Sequence, residues 1–516
     1  MNFFNKYTTV LALSTALVFN SCGSDFLETS PTGTITKDRV DQLADMKPLV
    51  VGLYSSLIAY DVLGRDADNL SVRHSDFGYF SIVLSSDLMV DDMSQYSASY
   101  GWFYNWYDLS LRKDASHPDV QMPCLFFYKE INAANNIIGT VGYGDDLTDE
   151  QIAFRGQALA ARAFSYYNLA NLYGDAYGVD KTSKGVPIVL ENMTLTEISN
   201  NPRATVEKVY NEVILKDLLQ AEKDLEKYAR PTKDIINLNV VYGLLARTYL
   251  MMENGAKAAE YAKKAREGYK LMDNDQLYWV NQEGKTASFS DISNVEWIWG
   301  CDVTDKSRIA TSGIVNFPSQ MSSMSYGYVS IGGMYKCIDA NLYANIPVSD
   351  ARKKAWLGEV TNIYGKMVPV YANIKFGKMN GATNDNDNDY PLMRASEMYL
   401  IEAEGLARAG QIAEAQQVLF EFVSHRDPGY VKSTKTGEAF IDEVYFQRRI
   451  ELWGEGFSYV DHKRLKKGIV RDYSGTNHNA DARMNLDAGA SVFKFRIPDA
   501  ETNYNKGIPA SDNNPI

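Results

Sequence analysis

The sequence predicts a mainly α fold: tetratricopeptide-like helix pairs stacked into an α-α superhelix, with a loop-rich insertion and a few short strands. Three observations lead there. Apolar residues recur at helical spacing over residues 123–175, 204–270 and 392–468. One pattern of small and large side chains occurs twice, at Ala246, Tyr249, Ala258, Ala262 and Ala265 and again at Ala403, Leu406, Ala415, Leu419 and Phe422. Between residues 273 and 389 the periodicity disappears, and Gly, Ser, Asn and Asp interleave with aromatic residues.

The elements follow in chain order. Lys6, an uncharged and mostly apolar run over residues 7–19, and small Ser21 before Cys22 form a secretory signal peptide over residues 1–21. That run is shorter than the roughly 20 apolar residues a bilayer span needs. Cys22, in LVFNSC, stands where a lipoprotein signal peptidase would cut, so its thiol is the expected acylation site and residues 23–36 the tether. Residues 66–118 read as aperiodic. In the first helical block Leu159, Ala163, Tyr166, Ala170 and Tyr173 make a buried stripe at three-and-four spacing. In the other two blocks the small residues let antiparallel helices approach closely. Residues 294–299 have the character of a short strand.

Composition narrows the function. Lys and Arg total 52 against 65 Asp and Glu, a net charge of −13. A nucleic-acid partner, which needs cations to displace counterions, is disfavoured. Cys124, Cys301 and Cys337 are too dispersed for a disulfide framework or zinc site and read as buried thiols. No pair among the five histidines has helical zinc-site spacing, and neither a Gly-x-Ser-x-Gly elbow nor a phosphate loop occurs. Glycoside hydrolysis needs only two carboxylates across a cleft. Glu451 and Glu455 are one turn apart, but Arg448, Arg449 and Arg464 nearby favour an ion-pair network. The Asn/Asp run over residues 384–389 lacks the glycine and distal glutamate of a calcium loop and reads as a solvated turn.

The 34 Tyr, 21 Phe and 7 Trp suit a flat ligand. Aromatic faces pack against the C–H groups of a sugar ring while loop polar groups satisfy its hydroxyls. The candidates are Trp102 and Trp106 in GWFYNWYD, and Trp279, Trp297, Trp299, Tyr326 and Tyr328 in the insertion. Core packing is the competing reading for each.

Five segments together carry a resemblance: Cys22 with the DFLETSPTGTIT that follows; ARAFSYYNLANLYGD at 161–175; YPLMRASEMYLIEAEGLARAG at 390–410, with Arg394 and Glu397; QRRIELWGEGFSYVDHKRLKKG at 447–468; and FRIPDAETNYNKGIP, with Pro498, Glu501 and Asn505. They resemble the outer-membrane nutrient-binding lipoproteins of the RagB/SusD type, the 447–468 segment most specifically, in order and spacing. Gln447, Ser458 and His462 depart from the usual pattern. The resemblance implies one SusD-like domain over 22–516. Its N-terminal part would be 22–228, a helix pair with variable insertion 229–389, and its C-terminal part 390–516. It implies a non-catalytic, cofactor-free protein, lipid-anchored at the cell surface. Such a protein binds oligosaccharides as the lid of a SusC-like TonB-dependent transporter. A surface glycosidase using an acidic pair, a lid for a peptide or other nutrient, and a purely structural lid remain alternatives.

Overall fold

The computed structural model describes residues 46–63, 73–278, 289–304, 307, 309, 312–363, 365–377 and 386–516. The signal peptide, Cys22, the tether and Trp279 lie outside the described residues. Residues 48–516 cluster as one compact unit.

Its framework is a run of helices: α1 (Met46–Ser55), α2 (Tyr79–Leu88), α3 (Pro118–Val141), α4 (Asp149–Tyr173), α5 (Leu215–Asp224), α6 (Leu238–Met251), α7 (Gly255–Arg266), α8 (Ala395–Arg408), α9 (Ile412–Arg426), α10 (Gly437–Glu451) and α11 (Ser458–Arg464). Each from α3 to α8 packs on the next, and α10 packs on α8. The superhelix therefore continues from α7 into α8 although the long insertion separates them in sequence. Both copies of the small-residue pattern are buried at this junction, with Leu406 at its margin. Gly255 and Gly405 make the approach possible. A Cβ on Gly405 would sit 2.7 Å from the Gly255 carbonyl oxygen, and one on Gly255 2.5 Å from the Gly405 oxygen.

Local chemistry sets the helix ends. Pro118 opens α3 at N1, where its missing N–H costs nothing, and the His117 ring accepts from the Asp119 N–H. Sequence periodicity places this start at Pro123, which instead lies inside α3. Thr148 and Gln151 form a capping box on α4. Paired charges lock neighbouring helices. Arg155 of α4 donates twice to Asp224 of α5 at 2.8 Å, Arg162 twice to Asp217 at 2.7 and 2.9 Å, and Arg247 of α6 twice to Glu397 of α8 at 2.7 Å.

The stretch read as aperiodic over 66–118 contains α2, in which Phe80 through Leu88 are all buried. A helix enclosed on every side has no polar face, so no amphipathic period betrays it.

Strands pair in two-stranded antiparallel ladders among the described residues: β1 (Met93–Gln95) with β3 (Lys336–Ile338), β2 (Trp297–Cys301) with β6 (Tyr390–Arg394), β4 (Thr361–Ile363) with β5 (Lys366–Val368), and β7 (Ile469–Val470) with β8 (Asn485–Leu486). Every residue of β2 and β6 is buried. Cys124, Cys301 and Cys337 are free, buried thiols, as their dispersal suggests.

Beneath β6 lies a buried ionic network. Arg394 donates to Glu296, to Glu451 at 3.0 Å and to Glu455 at 2.7 and 2.8 Å. Arg426 reaches Glu296 at 2.6 Å and Glu451 at 3.2 Å, and Lys375 reaches Glu455 at 2.7 Å.

Candidate functional site

The site begins with a ladder. β1 and β3 pair with Gln95 opposite Lys336, and the Tyr96 N–H extends the pairing by donating to the Tyr335 carbonyl at 2.9 Å. Beyond this point the two chains diverge. On one side residues 97–102 form an open loop that Gly101 turns at φ 79°. On the other, the single-turn helix Tyr328–Gly332 follows Gly327, at φ 147° with its Cα against Ser319. No side chain fits there, since a Cβ would lie 2.0 Å from the Ser319 hydroxyl oxygen.

This geometry sets exposed rings on buried ones. Tyr100, 62% exposed, meets the buried Tyr328 ring edge-on, with centroids 5.3 Å apart at 79°. Tyr96, 58% exposed, meets buried Tyr335 at 6.3 Å and 71°. Trp102 is half-buried and stacks on His74 at 5.2 Å and 20°, with the Arg73 guanidinium 5.7 Å from its ring centre.

One hydroxyl ties the group together. The Trp102 indole N–H donates to Tyr328 Oη at 3.0 Å, and the same oxygen contacts His74 Nδ1. An indole can only donate, so the phenol keeps a proton that it can offer to Nδ1 of a neutral His74. Burial acts in the same direction, lowering the His74 pKa below its ordinary value. Arg73 is answered by Asp119 at 3.0 Å.

Of the sequence candidates, the structure brings Trp102 and Tyr328 together here. Tyr326, two residues before Tyr328, is 45% exposed, and its carbonyl accepts from Asn386 Nδ2 at 3.0 Å. The others do not join. Trp106 is buried and stacks on Phe495 at 5.0 Å. Trp102 and Trp106 share no helix face, because the short helix there is Tyr104–Tyr107. Trp297 and Trp299 are enclosed in β2, with Trp299 edge-on to Phe164 and donating to the Asp234 carbonyl at 2.9 Å. Such rings cannot touch a ligand; they are core. Tyr96, Tyr100 and His74 are the residues that sequence reasoning missed. The available signal was an aromatic, charge-free run, but periodicity does not tell an exposed tyrosine from a buried one.

Two further expectations need correction. Glu451 and Glu455 do form an ion-pair network, but with Arg394, Arg426 and Lys375. Arg448 goes instead to Asp461 at 2.7 Å, Arg464 to Glu404 and Asp461, and Arg449 to Asp91 and Asp92. Helix α10 ends at Glu451, so the two carboxylates do not share a helix face. Burial would push both pKa values up, yet the surrounding cations hold them below the usual carboxylate range. Each is an enclosed carboxylate without a proton to give. The described part of the Asn/Asp run is not a solvated turn. Asn386 and Asn388 are buried, Asn388 Nδ2 donates to the Phe376 carbonyl at 2.8 Å, and Asp389 accepts from the Ile292 and Val303 N–H groups at 2.9 and 2.8 Å.

Known proteins share this fold. Residues 85–250 match a family described as starch-binding and associating with the outer membrane, and residues 339–514 match the SusD family. A SusD-like protein, P38, of Formosa agariphila is 21% identical over 380 residues, covering 66% of this chain and 72% of the relative. A SusD-like carbohydrate binding protein from Bacteroides vulgatus superposes with a TM-score of 0.75 at 22% identity, over 92% of this chain and 98% of that one. Surface glycan-binding protein A from Bacteroides thetaiotaomicron, solved with laminarihexaose, gives 0.63 at 19% identity, over 91% and 99%. No described helix is long and apolar enough to cross a membrane. The helical stack, the two family matches that together span more than half of the sequence, and the structural neighbours agree: the chain belongs to the RagB/SusD family of outer-membrane-associated, glycan-binding proteins.

Proposed function

We propose that this protein is a cell-surface lipoprotein, anchored through Cys22 after loss of residues 1–21. It holds oligosaccharides on the exposed rings of Tyr96 and Tyr100 and passes them uncleaved to a SusC-like TonB-dependent transporter. The observation that carries this reading is the pairing of exposed Tyr96 and Tyr100 with buried Tyr335 and Tyr328. An exposed aromatic ring is costly to order, and here two are held ready. Trp102 and Tyr328 complete the face, with Tyr326 two residues away in the same segment, and the laminarihexaose complex of a structural neighbour supports a sugar as its cargo. Acyl chains contribute about 0.8 kcal/mol per buried methylene, so two or more give lasting attachment. Weak binding then suffices, because the tether keeps ligand concentrated beside the transporter.

Titration calorimetry of the mature chain against plant, host and microbial glycans tests the reading. Binding that disappears in Tyr100→Ala supports it, and a folded protein that binds none of them overturns it. Reducing-sugar release from a bound polymer would instead favour the glycosidase, although Glu451 and Glu455 are committed to the core. Co-purification of the membrane-bound protein with a β-barrel tests the transporter partnership.

A further inference from the structure

The charge of the cargo follows from what the face lacks. Residues 93–107 contain no Asp, Glu, Lys, Arg or His, and neither do residues 309–335, in a chain where 23% of residues are charged. These two uncharged runs supply Tyr96, Tyr100, Trp102, Tyr326, Tyr328 and Tyr335. Most of the described charges around them are paired or buried. Arg73 is paired with Asp119, and Lys336 is fully buried against the carbonyls of Gln320 and Met334 at 2.9 and 3.0 Å; Lys366, exposed at the border, turns its Nζ to the Ser330 carbonyl and stays in water. His74 is neutral. The exposed carboxylate of Asp481 accepts from Tyr104 Oη at 2.5 Å, adding an anion at the border. Open to a ligand are ring faces and neutral polar groups such as Ser97 and Ser99.

Resting on the glycan reading, we infer that this face selects uncharged oligosaccharides and rejects those bearing uronate or sulfate groups. Among the described residues, an anionic sugar moved onto these rings would lose hydration with only the water-screened Lys366 at the border to answer it, which is costly. The net charge of −13 adds repulsion, screened beyond about 8 Å at physiological salt. Neutral sugars need only stacking and hydrogen bonds.

The test is a matched panel: laminarin, xylan, mannan and dextran against polygalacturonate, alginate and heparin, titrated with the mature chain at low and high salt. Binding is expected only among the neutral polymers, with affinity changing less than about twofold with salt. Ser97→Arg, which places an unpaired cation at the rim, is expected to admit polygalacturonate in a salt-sensitive manner. Preferential binding of an anionic polymer by the unaltered chain, weakening as salt rises, overturns the inference and leaves the glycan reading intact. Binding to neither panel overturns both.

Discussion

Tyr100 and Tyr328 meet edge to face, 5.3 Å apart at 79°, one ring exposed and the other buried. Edge-to-face geometry places the positive ring edge of one partner on the negative face of the other and contributes about 0.5–1.5 kcal/mol beyond buried area. Tyr328 is fixed in turn by Trp102 through its hydroxyl. Removing Tyr100 should therefore cost binding and not folding. Tyr100→Ala is expected to weaken glycan affinity by about tenfold or more, equivalent to about 1.4 kcal/mol. Thermal unfolding should be nearly unchanged. Tyr328→Phe leaves the Trp102 N–H without its acceptor and is expected to cost about 1–3 kcal/mol of stability as well as affinity. Unaltered binding in both variants would remove this face from the site.

Arg394 answers three carboxylates in the core. Arg394→Met would leave Glu296, Glu451 and Glu455 partly uncompensated, and loss of one partner from such a buried cluster costs about 3–5 kcal/mol. Urea unfolding should show it as a lower midpoint at unchanged slope. A wild-type midpoint would mean that solvent reaches the cluster.

Where α7 meets α8, Gly405→Ala forces a methyl group to 2.7 Å from the Gly255 oxygen. Backbone cannot yield as a side chain does, so the helices must separate, at about 1–3 kcal/mol. The exposed Gly410, with nothing within 4 Å of a built Cβ, lies at φ 82°. Gly410→Ala there should register backbone strain alone. Equal losses in the two variants would argue against close helix contact.

Asp87 is buried; burial first, then the nearby Asp92 charge, raises its pKa from 3.8 to about 7, although the Gly456 N–H donates to it at 2.9 Å. Between pH 4 and 7 the folded chain thus keeps a proton that the unfolded chain releases. Stability contributed by this group is full below pH 4 and falls as pH rises through 7, at most about 1.4 kcal/mol per pH unit. Asp87→Asn should remove that decline, so the variant gains on the wild type as pH goes from 5 to 8. Parallel urea midpoints across that interval would show that Asp87 titrates normally.

Cys22→Ala should shift the protein from the membrane pellet to the soluble fraction and abolish labelling by a fatty-acid probe. Retention in the pellet would locate the attachment elsewhere.

Much of the helical scaffold is legible in the sequence, because Ala246, Ala258, Ala403 and Ala415 recur at spacings that only paired helices require. Helix α2 is not, for lack of a polar face. The site is legible only in part. Trp297 and Trp299 lie in an insertion whose composition suggests a binding loop, yet the β2–β6 ladder draws both into the core, Trp299 against Phe164. Tyr96 and Tyr100 look no different in sequence from any buried tyrosine, and the ladder that lifts them out is set by strands far apart in the chain.

That ladder has one more implication. Gln95 faces Lys336, so neither half of the face exists until both distant strands have met. No fragment ending before Lys336 can assemble it, so under the proposed function cargo is held only by a chain long enough to have closed that ladder.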